Sequence, residues 1–259
     1  MPTPARPVPG EVFDQLVAIM DRLREGCPWD REQTFASLRP FLVEETAEAL
    51  EALDNADWPH FCEELGDILL QVVFHARLGR EAGGFDIVDV VNSINRKMVS
   101  RHPHVFGTSE AKTADEVLTQ WEALKRAEKP QAEPHALRRL PPALPALQAA
   151  QKTSERAAKL GFEWPTEAEL FAKLREELGE LERAATPETS DEELGDLLLA
   201  VVNLARRRNL DAEGALARAT AKFRRRFEEL TANLAQDGRT LEGLTDPEKR
   251  AAWARAKTS

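Results

Sequence analysis

An all-α fold of two tandem homologous helical-bundle domains is predicted by three observations. The segment EELGD, followed by an apolar run, occurs twice, at Glu63–Asp67 and at Glu192–Asp196. Apolar residues around both copies recur at three- and four-residue spacing, the period of one helix face. Strand-like alternation is scarce, the chain has no tyrosine, and its valine clusters sit inside helical patterns.

The elements follow in order. Residues 1–10, MPTPARPVPG, are proline-rich and expected to be poorly ordered. They contain no apolar h-region and so do not read as a signal peptide. VEETAEAL at 43–50 forms an acidic helical arm. A short connection, DNADWPHF, leads into the next helix, with Pro59 suited to its first turn. In EELGDILLQVVFHARL, Leu65, Ile68, Leu69, Val72 and Val73 keep the helical period. Lys97-x-x-x-Arg101 and Trp121-x-x-x-Lys125 come next. The prolines at 130, 134, 141, 142 and 145 then break any continuous helix, which places a linker at Lys129–Gln148.

The second half repeats the plan. Leu170, Leu174, Leu178 and Leu181 give REELGELE its apolar stripe, and ATPETSD connects it to the second EELGD. Val201 and Val202 are β-branched, but the stretch around them is too long for a strand and keeps the helical period. Lys222 with Arg226, then Trp253 with Lys257, complete the series. Four features recurring in one order mean one structural unit used twice. The expected division is 11–128, a linker at 129–148, and 149–259.

Composition narrows the function. A net charge of −10 argues against a general nucleic-acid or membrane binder, since both need basic surface. No apolar run reaches the roughly 18 residues that cross a bilayer, and a cytoplasmic protein is expected. Cys27 and Cys62 have no metal-ligand spacing and read as reduced core thiols. Glycine-rich phosphate loops, H-E-x-x-H and G-x-S-x-G are all absent.

The acidic residues are the strongest chemical signal. Glu45 and Glu48 are three residues apart, as are Glu64 and Asp67. On a helix such pairs point the same way. Short connections make antiparallel neighbours, so a hairpin would converge four carboxylates. Glu177, Glu180, Glu193 and Asp196 offer the same set in the second half. Converging carboxylates protonate or capture a cation, and oxygen-only ligands suit Mg²⁺, Mn²⁺ or Ca²⁺. The bland alternative is a solvated acidic face. Capping boxes are possible at Ser190-x-x-Glu193 and at Thr189-x-x-Glu192, and the first would compete for Glu193.

Lys222 and Arg226 sit one turn apart and could reach one phosphate chain. Trp121 and Trp253 read equally as base-stacking or packing residues. His75, His102 and His104 stand out of Glu-x-x-His register with the acidic motifs and read as structural.

Glu-Glu-x-x-Glu followed by Glu-x-x-Asp on helical hairpins resembles the MazG nucleotide pyrophosphohydrolases, in the all-α NTP pyrophosphatase superfamily. The resemblance runs from about Val12 to Lys257 and covers both halves. GCPWDREQT at 26–34, RHPHVFG at 101–107 and KFRRRF at 222–227 carry it further. It implies Mg²⁺-dependent hydrolysis of (deoxy)nucleoside triphosphates to monophosphate and pyrophosphate, with Mn²⁺ as a substitute. It implies metal ligation by Glu177, Glu180, Glu193 and Asp196, matched by Glu45, Glu48, Glu64 and Asp67. Glu176 or Glu44 would orient or deprotonate the attacking water. Lys222, Arg226 and Lys257 would hold phosphates and Trp253 the base, with Lys97, Arg101, Lys125 and Trp121 as first-half counterparts.

The resemblance further implies a homodimer or higher oligomer and nucleotide-pool housecleaning. The second half is expected to catalyse and residues 1–128 to take the larger share of dimerisation. Within the superfamily, a preference for dUTP or a modified base is an alternative. Outside it stand a dinuclear redox bundle, which would want a histidine one turn from its glutamates, and a non-enzymatic acidic adaptor.

Overall fold

The computed structural model describes residues 8–127, 137 and 139–257, except for the side chains of Glu122, Lys125 and Arg126. The chain falls into two compact units, residues 1–132 and 133–259. Twelve helices and no strands occur among the described residues, as the periodicity predicts.

The first unit contains α1 (Pro9–Gly26), α2 (Pro28–Glu32), α3 (Phe35–Asp54), α4 (Trp58–Glu81), α5 (Ile87–Arg101), α6 (Pro103–Phe106) and α7 (Ala114–Ala127). The α3 helix starts where Thr34 and Ser37 cap each other's backbone N–H groups. It ends at a three-residue turn in which Ala56 takes a φ of 53°. Asp57 then caps α4 by accepting from the His60 N–H at 3.2 Å, and Pro59 sits in the first turn as predicted. So short a turn makes α3 and α4 an antiparallel hairpin.

The core of this unit is Met20, Leu38, Val73, Phe74 and Leu78, with Phe13, Leu16 and Phe41 packed around it. The apolar residues of α4 therefore divide between two faces. Val73 and Phe74 are buried, whereas Leu65, Leu69 and Val72 are exposed. Gly79 allows the turn into α5 to pass close by. A β-carbon there would lie 2.6 Å from the Phe85 carbonyl oxygen.

The second unit contains α8 (Ala146–Lys159), α9 (Glu167–Arg183), α10 (Pro187–Arg207), α11 (Ala212–Gln236) and α12 (Asp246–Ala256). Leu170 on α9 and Val202 on α10 are completely buried. A second cluster joins α11 to α12 through Leu230, Leu234, Leu244, Ala252 and Ala256. Leu178, Leu194, Leu198 and Val201 remain exposed on the α9–α10 hairpin.

Several local expectations are corrected. Pro9 and Gly10 belong to the first turn of α1, because proline is tolerated where the N–H has no helical partner; residues 1–7 lie outside the described set. Ala146–Gln148, assigned to the linker, already form the first turn of α8, while 129–136 and 138 lie outside the described residues. The connection before α10 is only Ala184–Thr186. Its cap is Thr186, boxed with Thr189, rather than either predicted box. Glu193 is thereby left inside the helix with no capping duty. Cys62 is exposed on α4 rather than in the core, and Cys27 is half-buried.

Candidate functional site

The two hairpins each gather three carboxylates. Glu45 and Glu48 project from α3 and Glu64 from α4, with ligand oxygens all within 4.8 Å of one another. Glu177 and Glu180 from α9 meet Glu193 from α10 within the same limit. The three-residue spacing on one arm and the short connection to the other bring about this convergence. Asp67 and Asp196, the fourth members of each predicted set, stand outside these groups. They remain within electrostatic reach, since Asp67 raises the pKa of Glu45 and Asp196 that of Glu193.

The electrostatics are those of crowded carboxylates. Partial burial pushes Glu45 above the usual carboxylate range, and Asp67, Glu48 and Glu64 add repulsion. Burial also raises Glu48, followed by the charges of Glu64 and Glu44. Glu193 is raised by burial, then by Glu180 and Glu177. Glu64 and Glu177 are only 5% and 4% exposed. The Oε2 atom of Glu64 is buried without a hydrogen-bond partner, a costly state for a carboxylate oxygen that a bound cation would relieve. The donor set fits a hard divalent cation.

Two neighbours of these carboxylates escaped the sequence reading. His60 Nε2 lies 2.9 Å from Glu64 Oε1, one turn before it on α4. Lys173 Nζ lies 2.7 Å from both Glu176 Oε1 and Glu177 Oε1. Those contacts hold the Lys173 proton well above the ordinary lysine range. A search for basic residues three or four positions before each motif would have found both.

The predicted cations and aromatics are assembled differently. Arg101 is buried, with its guanidinium over the Trp121 ring at 5.3 Å. Lys97 is exposed on α5, and the Lys125 side chain lies outside the described residues. In the second unit Lys257 Nζ sits 5.9 Å from the Trp253 ring, which tilts against Phe223 at 5.1 Å. Trp253 also packs on the α11–α12 cluster, so packing accounts for part of its role. Lys222 is exposed and Arg226 half-buried. Among the described residues, no hydrogen bond or ion pair joins Lys222, Arg226 or Lys257 to the acidic trio. His75, His102 and His104 bond to Gln71 O, Met98 O and Gln120 Oε1, consistent with structural roles.

Comparison with known proteins places this geometry. The family profile of the MazG nucleotide pyrophosphohydrolase domain matches the chain twice, over residues 33–106 and 165–231. The chain belongs to the MazG family. Each MazG match begins ahead of an acidic hairpin and runs through both of its arms. The matches contain all eight predicted ligands, with Lys97, Arg101, Lys222 and Arg226, but stop short of Trp121, Lys125, Trp253 and Lys257. A nucleoside triphosphate pyrophosphohydrolase/pyrophosphatase MazG of Thermotoga maritima is 44% identical over 250 residues, covering 96% of each chain. A nucleoside triphosphate pyrophosphohydrolase of Escherichia coli K12 is 43% identical, covering 95% of this chain and 97% of its own. A solved MazG-related protein from Thermotoga maritima is 26% identical, with a TM-score of 0.40 over 44% of this chain and 98% of its own. No helix among the described residues is long and apolar enough to cross a membrane.

Proposed function

We propose that this chain hydrolyses nucleoside triphosphates, deoxy forms included, to the monophosphate and pyrophosphate, with Mg²⁺ as cofactor and Mn²⁺ as a substitute. The observation that carries the reading is the pair of converging glutamate trios, each on a hairpin inside a MazG match. The names borne by full-length relatives at 43–44% identity support the reaction.

Glu177, Glu180 and Glu193 would hold the cation in the second unit, with Asp196 beside them; Glu45, Glu48, Glu64 and Asp67 would do so in the first. When bound, Mg²⁺ supplies a link between carboxylates and phosphates and offsets charge on the departing pyrophosphate. Glu176 is exposed and tethered to Lys173, which holds it in place to orient a water, and it would serve as the base for that water. Lys222, Arg226 and Lys257 supply positive charge for the phosphates, and the exposed part of Trp253 supplies a face for the base. Water is the nucleophile, and no covalent intermediate is required. The exposed leucines on both hairpins suit a homodimer or larger assembly.

The test is product analysis of a mixed (d)NTP digest with and without Mg²⁺. Monophosphate and pyrophosphate, formed only with the metal, are expected. Diphosphate and orthophosphate would mean a different bond is cut. No turnover of any nucleotide would leave a non-enzymatic helical adaptor as the better account.

A further inference from the structure

The two trios share their ligands but not their counter-charges. Aligning Glu44 with Glu176 sets Lys173 opposite Phe41, and aligning Glu63 with Glu192 sets His60 opposite Thr189. In the second unit an ammonium group therefore sits on Glu177, the buried member of the trio. It supplies part of what a cation would supply. In the first unit Phe41 is turned onto the core instead, 6.0 Å edge-on from Trp29. Among the described residues, no lysine or arginine pairs with Glu45, Glu48 or Glu64.

The first trio is also shaped for an ion. His60 occupies Glu64 Oε1, while Oε2, buried and unpartnered, is left for another ligand. Donors around an octahedral ion with bonds of about 2.1 Å lie roughly 3 to 4.2 Å apart, and the ligand oxygens of both trios gather within 4.8 Å of one another. A cation entering the second trio alone meets the Lys173 ammonium. One arriving with a nucleotide brings phosphate charge that offsets that repulsion.

We propose that the first-unit trio holds a resident divalent cation without nucleotide, whereas the second-unit trio fills only together with a nucleoside triphosphate. The proposal rests on the reading that both trios are cation sites, and it assigns them different duties. The first is a structural ion that ties α3 to α4. The second is the substrate-coupled ion, gated by Lys173.

The test uses the full chain and Mn²⁺ alone, followed by calorimetry and by the loss of the free-Mn²⁺ EPR signal. Wild type is expected to bind about one Mn²⁺ per chain, and about one more after a non-hydrolysable triphosphate analogue is added. Glu64→Gln and the exposed Glu48→Gln should each abolish the nucleotide-free site, whereas Glu180→Gln should retain it. Circular dichroism shows whether each variant is folded, and Glu48→Gln decides if Glu64→Gln is not. Lys173→Met should open a second nucleotide-free site, raising the nucleotide-free stoichiometry to about two Mn²⁺ per chain.

Two equal nucleotide-free sites in wild type, none at all, or loss in Glu180→Gln but not Glu48→Gln would overturn the proposal. Hydrolysis without nucleotide-free binding would refute this inference and leave the pyrophosphohydrolase reading intact. Nucleotide-free Mn²⁺ at the first trio with no hydrolysis of any triphosphate would do the reverse for that half of the proposal.

Discussion

The α1–α4 contact and the α8–α10 contact each brace one copy of the duplicated hairpin, but they are cemented by different chemistry. Phe74 fills the first, buried with Met20, Leu38 and Val73. Its counterpart in the second copy, counted from EELGD, is Asn203. There the Ser154 hydroxyl donates to Asn203 Oδ1, and Arg206 Nε donates to the Ser154 oxygen at 2.8 Å. Arg77 and Arg206 also correspond, and each finds a carboxylate on a neighbouring segment. Arg77 reaches Asp21 and Arg206 reaches Glu163, both at 2.6 Å. What is kept between the copies is the ion pair at the edge and the acidic trio on the hairpin. What has changed is the filling between them. A scaffold tolerates that exchange when volume and hydrogen bonding are both satisfied.

The largest effect should break the contact in the first unit. Phe74→Ala removes a buried ring and leaves a cavity, at a cost of about 3–5 kcal/mol. Asn203→Ala deletes a partner of a nearly buried hydroxyl, at a cost of about 1–3 kcal/mol. Denaturant unfolding of the two variants measures the contrast. Equal losses would mean that the polar contact is as well packed as the apolar one.

Activity should divide the copies next. Glu180→Gln is expected to lower kcat/KM by about a hundredfold or more, since loss of a supporting group alone costs about 10–100-fold. Glu48→Gln should change steady-state turnover far less, because the second unit is read as the catalytic one. Steady-state kinetics on one (d)NTP decides. A reversed order would move catalysis to the first unit.

Acid should act on both trios in the same direction. Glu45, Glu48 and Glu193 all have pKa values raised above the ordinary glutamate value. The folded, ion-free chain therefore takes up protons more readily than the unfolded one. The contribution of these three groups to stability should rise as pH falls from neutrality through those raised values, and level off below the unfolded value. Mg²⁺ competes with the same protons. The rise in Tm on adding Mg²⁺ should shrink between pH 8 and pH 5. A rise independent of pH over that range would place the ion away from the trios.

The fold was legible because a doubled helical period is hard to mistake. Both hairpins, the Pro59 start and the converging glutamates follow from spacing alone. The misses share a physical cause. Thr189 and Ser190 look like caps only if the connection is long; Pro187 at a first helical position draws the start back to Thr186. Asp67 and Asp196 are no miss: they follow the same spacing and lie within electrostatic reach of Glu45 and Glu193. His60 and Lys173 lie outside the letters of the motifs, and each touches its glutamate from one turn before. Cys62 reads as a core residue, yet it lies with the exposed Leu65 on the face of α4 that this unit leaves open.

The smallest effect concerns how each copy ends. Both close with a Thr-x-x-Glu box, at Thr113 with Glu116 and at Thr245 with Glu248. Only the second box is gripped by an arginine among the described residues, through Arg239 to Glu248 at 2.5 Å. Hydrogen bonds from the Thr245 side chain and backbone, then from Arg239, hold the Glu248 carboxyl down at about 2. A depressed carboxylate contributes stability above its unfolded value, and that contribution is lost as pH falls toward about 2. Glu248→Gln should therefore lower Tm slightly at pH 7, and the difference from wild type should vanish as both are acidified. Glu116→Gln, with no arginine to strand, should lower it less. Thermal scans of the two variants down the pH range check this. A larger loss from Glu116→Gln would show that the box itself, rather than the arginine that grips it, secures the final helix of each copy.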